Sequence, residues 1–135
     1  MHGKLLQAER VRSIVGGFFD VYNYYGYGLL ERVYAGALAH ELTDRGHIVV
    51  RELVVDIRYK ERHVAGHRLD MVIDDRVVVE IKAVAKLTGA DRQQLISYLR
   101  ASSFEVGVLL HFGPVPSFER YIDQPKRNCP GKAQS

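Results

Sequence analysis

The sequence predicts one α/β domain in which a mixed β-sheet is flanked by helices. The periodicity of its apolar residues gives the order helix, helix, three strands, helix, strand. That order is typical of an antiparallel meander followed by a parallel strand reached through a crossover helix. Residues 106–112 are nearly all apolar, as expected of a strand covered on both faces. A chain of 135 residues can bury such a core without disulfides.

Three helices are predicted from hydrophobic spacing. Residues 4–24 place apolar side chains at i, i+3 and i+4, and the glycines that follow favour a turn. A second helix is expected over residues 29–45, with Gly46 as its C-terminal cap. A shorter third helix is expected over residues 90–101.

Runs rich in Val and Ile predict strands at residues 48–59, 63–73, 76–83 and 106–112, with an edge strand at 118–122. Polar turns separate the first three strands. We expect residues 1–123 to form the domain. Residues 124–135 contain two prolines and scattered charge, and we expect them to be a disordered tail.

Composition narrows the class of protein. Nineteen Lys and Arg against 16 Asp and Glu give a net charge of +3, a weak indication of a nucleic-acid partner. The single cysteine, Cys129, excludes a disulfide or a thiolate zinc cluster within one chain. No apolar run reaches the roughly 20 residues of a membrane-spanning helix, and the N-terminus lacks the apolar segment of a signal peptide. We therefore expect a cytoplasmic protein with no membrane partner.

Two charged residues lie within an otherwise apolar strand. Strand side chains alternate between faces, so Glu80 and Lys82 share one face. Charged side chains beside a buried sheet are rare unless they are paired or bind a metal. The pair is therefore either a structural ion pair or part of a site.

The length of the preceding turn determines where Asp70 lies. A three-residue loop at 74–76 would place Asp70 opposite Glu80, whereas a two-residue loop would place them on opposite faces. Opposed carboxylates repel, and a divalent cation between them removes that cost. Magnesium suits such a site because it takes oxygen ligands and keeps several waters. Lys82 could orient the attacking water or offset charge on a phosphate, so the chemistry fits phosphodiester cleavage.

Further candidates surround this centre. Glu31 lies in the apolar stripe of its helix. There it either accepts hydrogen bonds from Tyr27, Tyr34 or the helix N-terminus, or completes an acidic cluster with Asp70 and Glu80. Gln94 and Tyr98 share a helix face and are candidates for the rim of the cleft, as are His67 and Tyr34. The alternative for Gln94 and Tyr98 is an ordinary exposed polar pair. No Ser/His/Asp arrangement is visible.

These residues resemble a known family. Residues 28–34 fit the pattern Gly-x-x-Glu-x-x-Tyr of the GxxExxY family, which is placed in the PD-(D/E)XK nuclease superfamily. The resemblance runs from about residue 26 to 122 and includes, in order, Arg68-x-Asp70, Glu80-Ile81-Lys82-Ala83, Lys86-Leu87-Thr88, residues 94–99 and residues 106–113. Each motif is weak alone, but their order and spacing are specific.

The resemblance implies a restriction-endonuclease-like core and a role for each matching residue. Asp70 and Glu80 would be metal ligands, Lys82 the catalytic lysine, Glu31 the helix-borne acid and Gln94 a residue at the rim. Two positions depart from the family pattern: Asp91 replaces a frequent histidine and His111 a frequent asparagine.

The expected function is a magnesium-dependent nuclease acting on DNA or RNA, with manganese as a substitute. The alternative is a non-catalytic nucleic-acid-binding or protein-interaction module on the same fold. Small chains of this fold often pair around a duplex, so a homodimer is a candidate state. The adjacent Phe18 and Phe19 fit either the core or a dimer surface.

Overall fold

A computed structural model describes residues 7–123 of the chain. It contains three helices, α1 (Ala8–Tyr25), α2 (Glu31–Asp44) and α3 (Gly89–Ala101), and five strands, β1 (Val49–Tyr59), β2 (Arg62–Ile73), β3 (Val77–Lys82), β4 (Val106–His111) and β5 (Ser117–Ile122). The order of elements confirms the prediction, and the bounds agree within about two residues wherever both ends are described. The expected tail at 124–135 and the start of the first predicted helix lie outside the described residues.

The five strands form one mixed sheet in the order β1-β2-β3-β4-β5. The pairs β1–β2, β2–β3 and β4–β5 are antiparallel, and β3–β4 is parallel. Helix α3 makes the crossover between the two parallel strands. This is the α/β restriction-endonuclease-like architecture that the sequence predicts.

Both faces of the sheet are covered. Helices α1 and α2 pack on one face, and α3 packs on the other. Strands β3 and β4 lie between these layers, and their apolar side chains are fully buried. The Phe18 side chain is fully buried and meets the Phe112 ring edge-on at 4.7 Å, while Phe19 is partly buried against the same core. Phe18 therefore belongs to the core.

The turn between β2 and β3 sets the register of the sheet. Asp74 and Asp75 both have positive φ, and the Arg76 N–H donates to the Ile73 carbonyl at 2.9 Å. Ile73 pairs with Val77, as the three-residue loop predicts.

Within residues 7–123, no helix combines the length and the apolar character that a bilayer span requires.

Candidate active site

Strands β2 and β3 separate at Asp70 and Glu80. Their last ladder pair is Met71 with Val79, so the next position brings Asp70 beside Glu80. Beyond this point the Ile81 N–H of β3 donates to Asp70 Oδ2 at 2.7 Å, and the Asp70 backbone N–H acts to lower the pKa of Glu80. The two acids thus occupy the gap that opens between the strands.

A local twist in the sheet accompanies this gap. Leu69 packs in the core beneath α3, whereas Met71, two residues later, packs in the core beneath α1 and α2. Residues two apart on a regular strand would share a face. The register of β1 places Glu52 opposite Asp70, and Glu52 has a positive φ of 53°. The alternation of β2 side chains between the two faces of the sheet is therefore interrupted at Asp70.

Burial strongly opposes ionisation of this pair. The Glu80 residue is 7% exposed, and its burial, together with the charge of Asp70, raises its pKa to about 7 despite the opposing effect of Lys82. Burial also raises the pKa of Asp70, although the Ile81 N–H and Lys82 act in the opposite direction. Two neighbouring carboxylates in one desolvated site destabilise each other's charged forms.

Lys82 lies between the acids and the start of α3. Its Nζ is 3.6 Å from Asp91 Oδ1, and both side chains are about one-fifth exposed. Asp91 is itself fixed by a capping box, since its carboxylate accepts from the Thr88 N–H and its own N–H donates to the Thr88 hydroxyl. The ammonium is therefore held by a rigid helix terminus.

Glu31 is the first residue of α2 and is exposed, unlike the buried residues that follow it on the same stripe. Its carboxylate is nevertheless influenced by the site: partial burial and the Asp70 charge raise its pKa, while Lys82 and the Ala83 N–H lower it. Among the described hydrogen bonds, none joins it to Tyr34 or to its own helix terminus. The charges that act on Glu31 agree with the alternative in which it faces the acids.

Tyr34 does not line the cluster. Its side chain is fully buried and stacks on Phe112 at 4.2 Å. Its hydroxyl donates to the Gly26 carbonyl at 2.6 Å and accepts from the Leu29 N–H at 3.2 Å. The expectation of a rim position for Tyr34 is therefore wrong, because its hydroxyl fixes the loop before α2 instead.

His67 and Tyr98 form a stacked pair beside Asp70. Their rings lie 4.9 Å apart with an interplanar angle of 16°. Tyr98 is buried, so the expectation of an exposed polar pair fails for it. Burial lowers the pKa of His67, and the Asp70 charge raises it in part. Gln94 is exposed one turn before Tyr98, and no described hydrogen bond links it to the acids.

His111, one of the departures from the family pattern, is buried at the end of β4. Its Nε2 lies 2.7 Å from the Val84 carbonyl oxygen, and the ring packs so closely on Gly113 that an added Cβ would lie 2.5 Å from it. His111 therefore anchors the segment that follows Lys82.

The donor set fits a divalent cation that brings its own waters. Glu80 Oε1 is buried and has no hydrogen-bond partner, an arrangement that is costly unless a ligand satisfies it. Within residues 7–123 no cluster of three or more His, Cys, Asp and Glu side chains has the geometry of a metal site. Two carboxylates suit magnesium, which keeps several waters and uses few protein ligands.

A Ser/His/Asp arrangement that the sequence did not reveal lies elsewhere. Ser13 Oγ is 2.7 Å from His47 Nε2, and His47 Nδ1 is 2.7 Å from Asp74 Oδ2, which also accepts from Arg10. A cavity of about 590 Å³ touches His47 and Asp74, but Ser13 is not among its lining residues. The network connects α1 to the turn between β2 and β3. Its members are 34 and 27 residues apart, and no spacing pattern would indicate it.

The fold and this site define a class, the restriction-endonuclease-like α/β proteins. The sequence profile of the PD-(D/E)XK nuclease superfamily matches residues 8–122, and the chain belongs to this superfamily. Its members generally use divalent metals.

Structural comparison supports the fold. The crystal structure of SSO0001 superimposes with a TM-score of 0.54 at 20% sequence identity, covering 87% of this chain. The chain spans 62% of the length of that protein. None of the curated proteins compared with the chain matches it significantly.

Proposed function

We propose that this protein is a magnesium-dependent nuclease that hydrolyses phosphodiester bonds of DNA or RNA. The observation that carries the proposal is the buried Glu80 Oε1, which has no hydrogen-bond partner and lies where β2 and β3 separate around Asp70. A fold that desolvates two adjacent carboxylates and leaves one oxygen unsatisfied incurs a cost that a cation would offset. Membership of a nuclease superfamily agrees with this role.

Each residue of the cluster has a defined part in the proposed reaction. Asp70 and Glu80 would hold magnesium, or manganese in its place, and the bound ion would lower the pKa of a water and neutralise phosphate charge. The Lys82 ammonium donates to the attacking water or to the phosphate oxygen on which charge develops. Asp91 keeps that ammonium oriented, 3.6 Å away.

The remaining candidates flank this centre. Glu31 accepts a hydrogen bond from a water at the open side of the cluster, because its carboxylate is exposed yet influenced by Asp70 and Lys82. His67 and Tyr98 form one wall through their stacked rings, and Gln94 contacts substrate from the rim of α3. The Gly-x-x-Glu-x-x-Tyr pattern supports membership of the GxxExxY family, and we propose residues 1–123 as one catalytic domain.

A cleavage assay tests the proposal. Labelled single-stranded DNA, duplex DNA and RNA are incubated with the full chain in magnesium or manganese, and in EDTA. Wild type is expected to cleave at least one substrate only with metal. Asp70→Asn and Lys82→Ala are expected to lower the rate at least about a hundredfold, the scale of a lost catalytic group. Lys60→Ala, in the exposed turn between β1 and β2, is the matched control and should leave the rate unchanged.

Two outcomes would contradict the proposed nuclease activity. Cleavage that persists in Asp70→Asn and Lys82→Ala would come from a contaminant. Salt-sensitive binding of nucleic acid with no cleavage in either metal would favour the non-catalytic binding module. That module has one observation in its favour, since Lys82 is engaged by Asp91 rather than free.

A further inference from the structure

We propose that the exposed tyrosines at the junction of α1 and α2 form a stacking platform for unpaired bases of a single-stranded nucleic acid. This platform, the tyrosine surface, consists of Tyr24, Tyr25 and Tyr27. The inference rests on the proposed function, because it identifies the substrate class as a strand with unpaired bases at the site. The catalytic roles proposed above do not involve these three tyrosines.

The tyrosine surface is unusually open. Tyr24 is 82% exposed, Tyr25 44% and Tyr27 47%. The rings of Tyr24 and Tyr25 meet edge to face at 4.9 Å and 88°, so ring faces remain free for a third aromatic group. Leu30 and Val33 extend the exposed apolar area toward α2. Three exposed rings on one short segment provide the kind of aromatic surface on which successive bases stack in sequence-tolerant binding.

The segment that carries these rings is held rigidly. The Tyr34 hydroxyl donates to the Gly26 carbonyl at 2.6 Å and accepts from the Leu29 N–H at 3.2 Å. Gly26 and Gly28 have φ values of 72° and 116°, which L side chains rarely adopt. A preformed platform binds with a smaller loss of conformational entropy than a mobile loop.

The platform lies at the end of the sheet that carries the acids. The Tyr34 ring stacks on Phe112, and the Phe112 N–H donates to the Lys82 carbonyl at 2.8 Å. The Tyr22 hydroxyl donates to the Gly113 carbonyl at 2.7 Å, which attaches α1 to the same end of β4. Glu31 follows Tyr27 after residues 28–30, and its carboxylate is influenced by the charges of Asp70 and Lys82. A strand that crosses the acids would therefore meet the tyrosine surface next.

Two exposed cations lie close in sequence to the residues of the proposed site. Arg32 lies beside Glu31, and Lys86 lies four residues beyond Lys82; both are exposed. In the part of the chain described, neither makes an ion pair. These cations suit the phosphates of a strand whose bases stack on the tyrosines.

A protein partner fits the surface less well. Exposed tyrosines also occur at protein interfaces, but Leu30 and Val33 flank Glu31 along the chain. A protein seated on this apolar area would cover the open side of the acidic cluster. A nucleotide strand would occupy that space as part of the reaction.

Binding measured without cleavage tests the platform independently of the nuclease activity. Fluorescence anisotropy is recorded for the full chain in calcium with two labelled oligonucleotides of equal length, one of thymidylate and one of abasic residues. Wild type is expected to bind the base-bearing strand at least about tenfold more tightly. A triple Tyr→Leu variant at positions 24, 25 and 27 should lose most of that preference, and the corresponding triple Tyr→Phe variant should keep it. Tyr59→Leu, 63% exposed at the far end of β1, is the matched control and should bind as wild type does.

Three results would overturn the inference. Equal binding of the two oligonucleotides by wild type would show that bases make no contribution. An unchanged preference in the Tyr→Leu variant would place base contacts elsewhere. Self-association that disappears in the Tyr→Leu variant, with strand binding unaffected, would assign the surface to a protein contact. If the preference is present but no substrate is cleaved, the platform stands and the nuclease activity falls.

Discussion

At the scale of single residues, the site is organised around a carboxylate whose charge the fold opposes. Glu80 is buried beside Asp70, and its pKa is raised to about 7 by burial and by that neighbouring charge. Lys82 is close enough to lower this pKa but is itself paired with Asp91. Lys82 therefore offsets only part of the negative charge of Asp70 and Glu80, and a bound cation would offset the rest.

We predict that Asp91 positions Lys82 during the reaction. Asp91→Asn should lower the cleavage rate about fivefold, since a part-exposed ion pair contributes up to about 1 kcal/mol. The asparagine oxygen can still accept from the Thr88 N–H, so the helix cap should survive. The measurement is kcat and KM for cleavage, and the effect should fall on kcat.

The control for this prediction is Thr88→Ala, which removes the other half of the capping box and keeps the Asp91 carboxylate. It should cost about 1 kcal/mol of unfolding free energy with little change in kcat. If Asp91→Asn cleaves as fast as wild type, Asp91 has no part in positioning Lys82. If Thr88→Ala loses equal activity, Asp91 acts through helix stability instead.

Some residue positions could be predicted from the sequence and others could not. The placement of Asp70 beside Glu80 follows from the two-residue period of strands and the three-residue turn. The Lys82–Asp91 pair could not be predicted, because a strand and a helix meet there through tertiary packing. The prediction of a rim position for Tyr34 is wrong because helical spacing indicates which face is buried but not which group the hydroxyl bonds.

At the scale of elements, hydrophobic periodicity predicts every helix and strand between residues 8 and 122. The face change of β2 at Asp70 could not be predicted in this way. It accompanies a positive φ at Glu52 on the neighbouring strand, and glutamate has no preference for that conformation. The ladder between β2 and β3 ends at the neighbouring pair, Met71 with Val79.

The turn between β2 and β3 carries a prediction about pH. Burial raises the pKa of Asp74, but hydrogen bonds from His47, the Ile48 N–H and Arg10 outweigh it and lower the pKa to about 2. A depressed folded-state pKa stabilises the protein above the unfolded value near 3.8, and this stability is lost as the pH falls toward 2. Asp74→Asn should therefore lose about 2 kcal/mol of unfolding free energy at pH 7 and progressively less below pH 4.

Urea unfolding between pH 3 and pH 7 measures this effect. Asp75→Asn is the matched control, since both positions have positive φ, which asparagine tolerates. A stability difference between wild type and Asp74→Asn that does not shrink on acidification would show that the Ser13–His47–Asp74 network contributes nothing through the charge of Asp74.

At the scale of the whole molecule, the fold creates the site by covering one sheet from both sides. Helices α1 and α2 cover one face and α3 covers the other, so β3 and β4 lie in the interior. The acids lie where β2 leaves this interior, with α3 supplying Asp91 and α2 supplying Glu31. The sequence predicts the layers, but which helix end faces the acids depends on packing across the whole sheet.

Metal binding is the central claim, and a calorimetric titration of magnesium into the full chain at pH 8 tests it most directly. Wild type should bind magnesium at one site, whereas Glu80→Gln should show no heat of binding at that site. The variant should unfold in EDTA at a temperature no lower than wild type, because it removes a buried charge that the metal-free fold opposes. Equal magnesium binding by wild type and a folded Glu80→Gln would contradict the account.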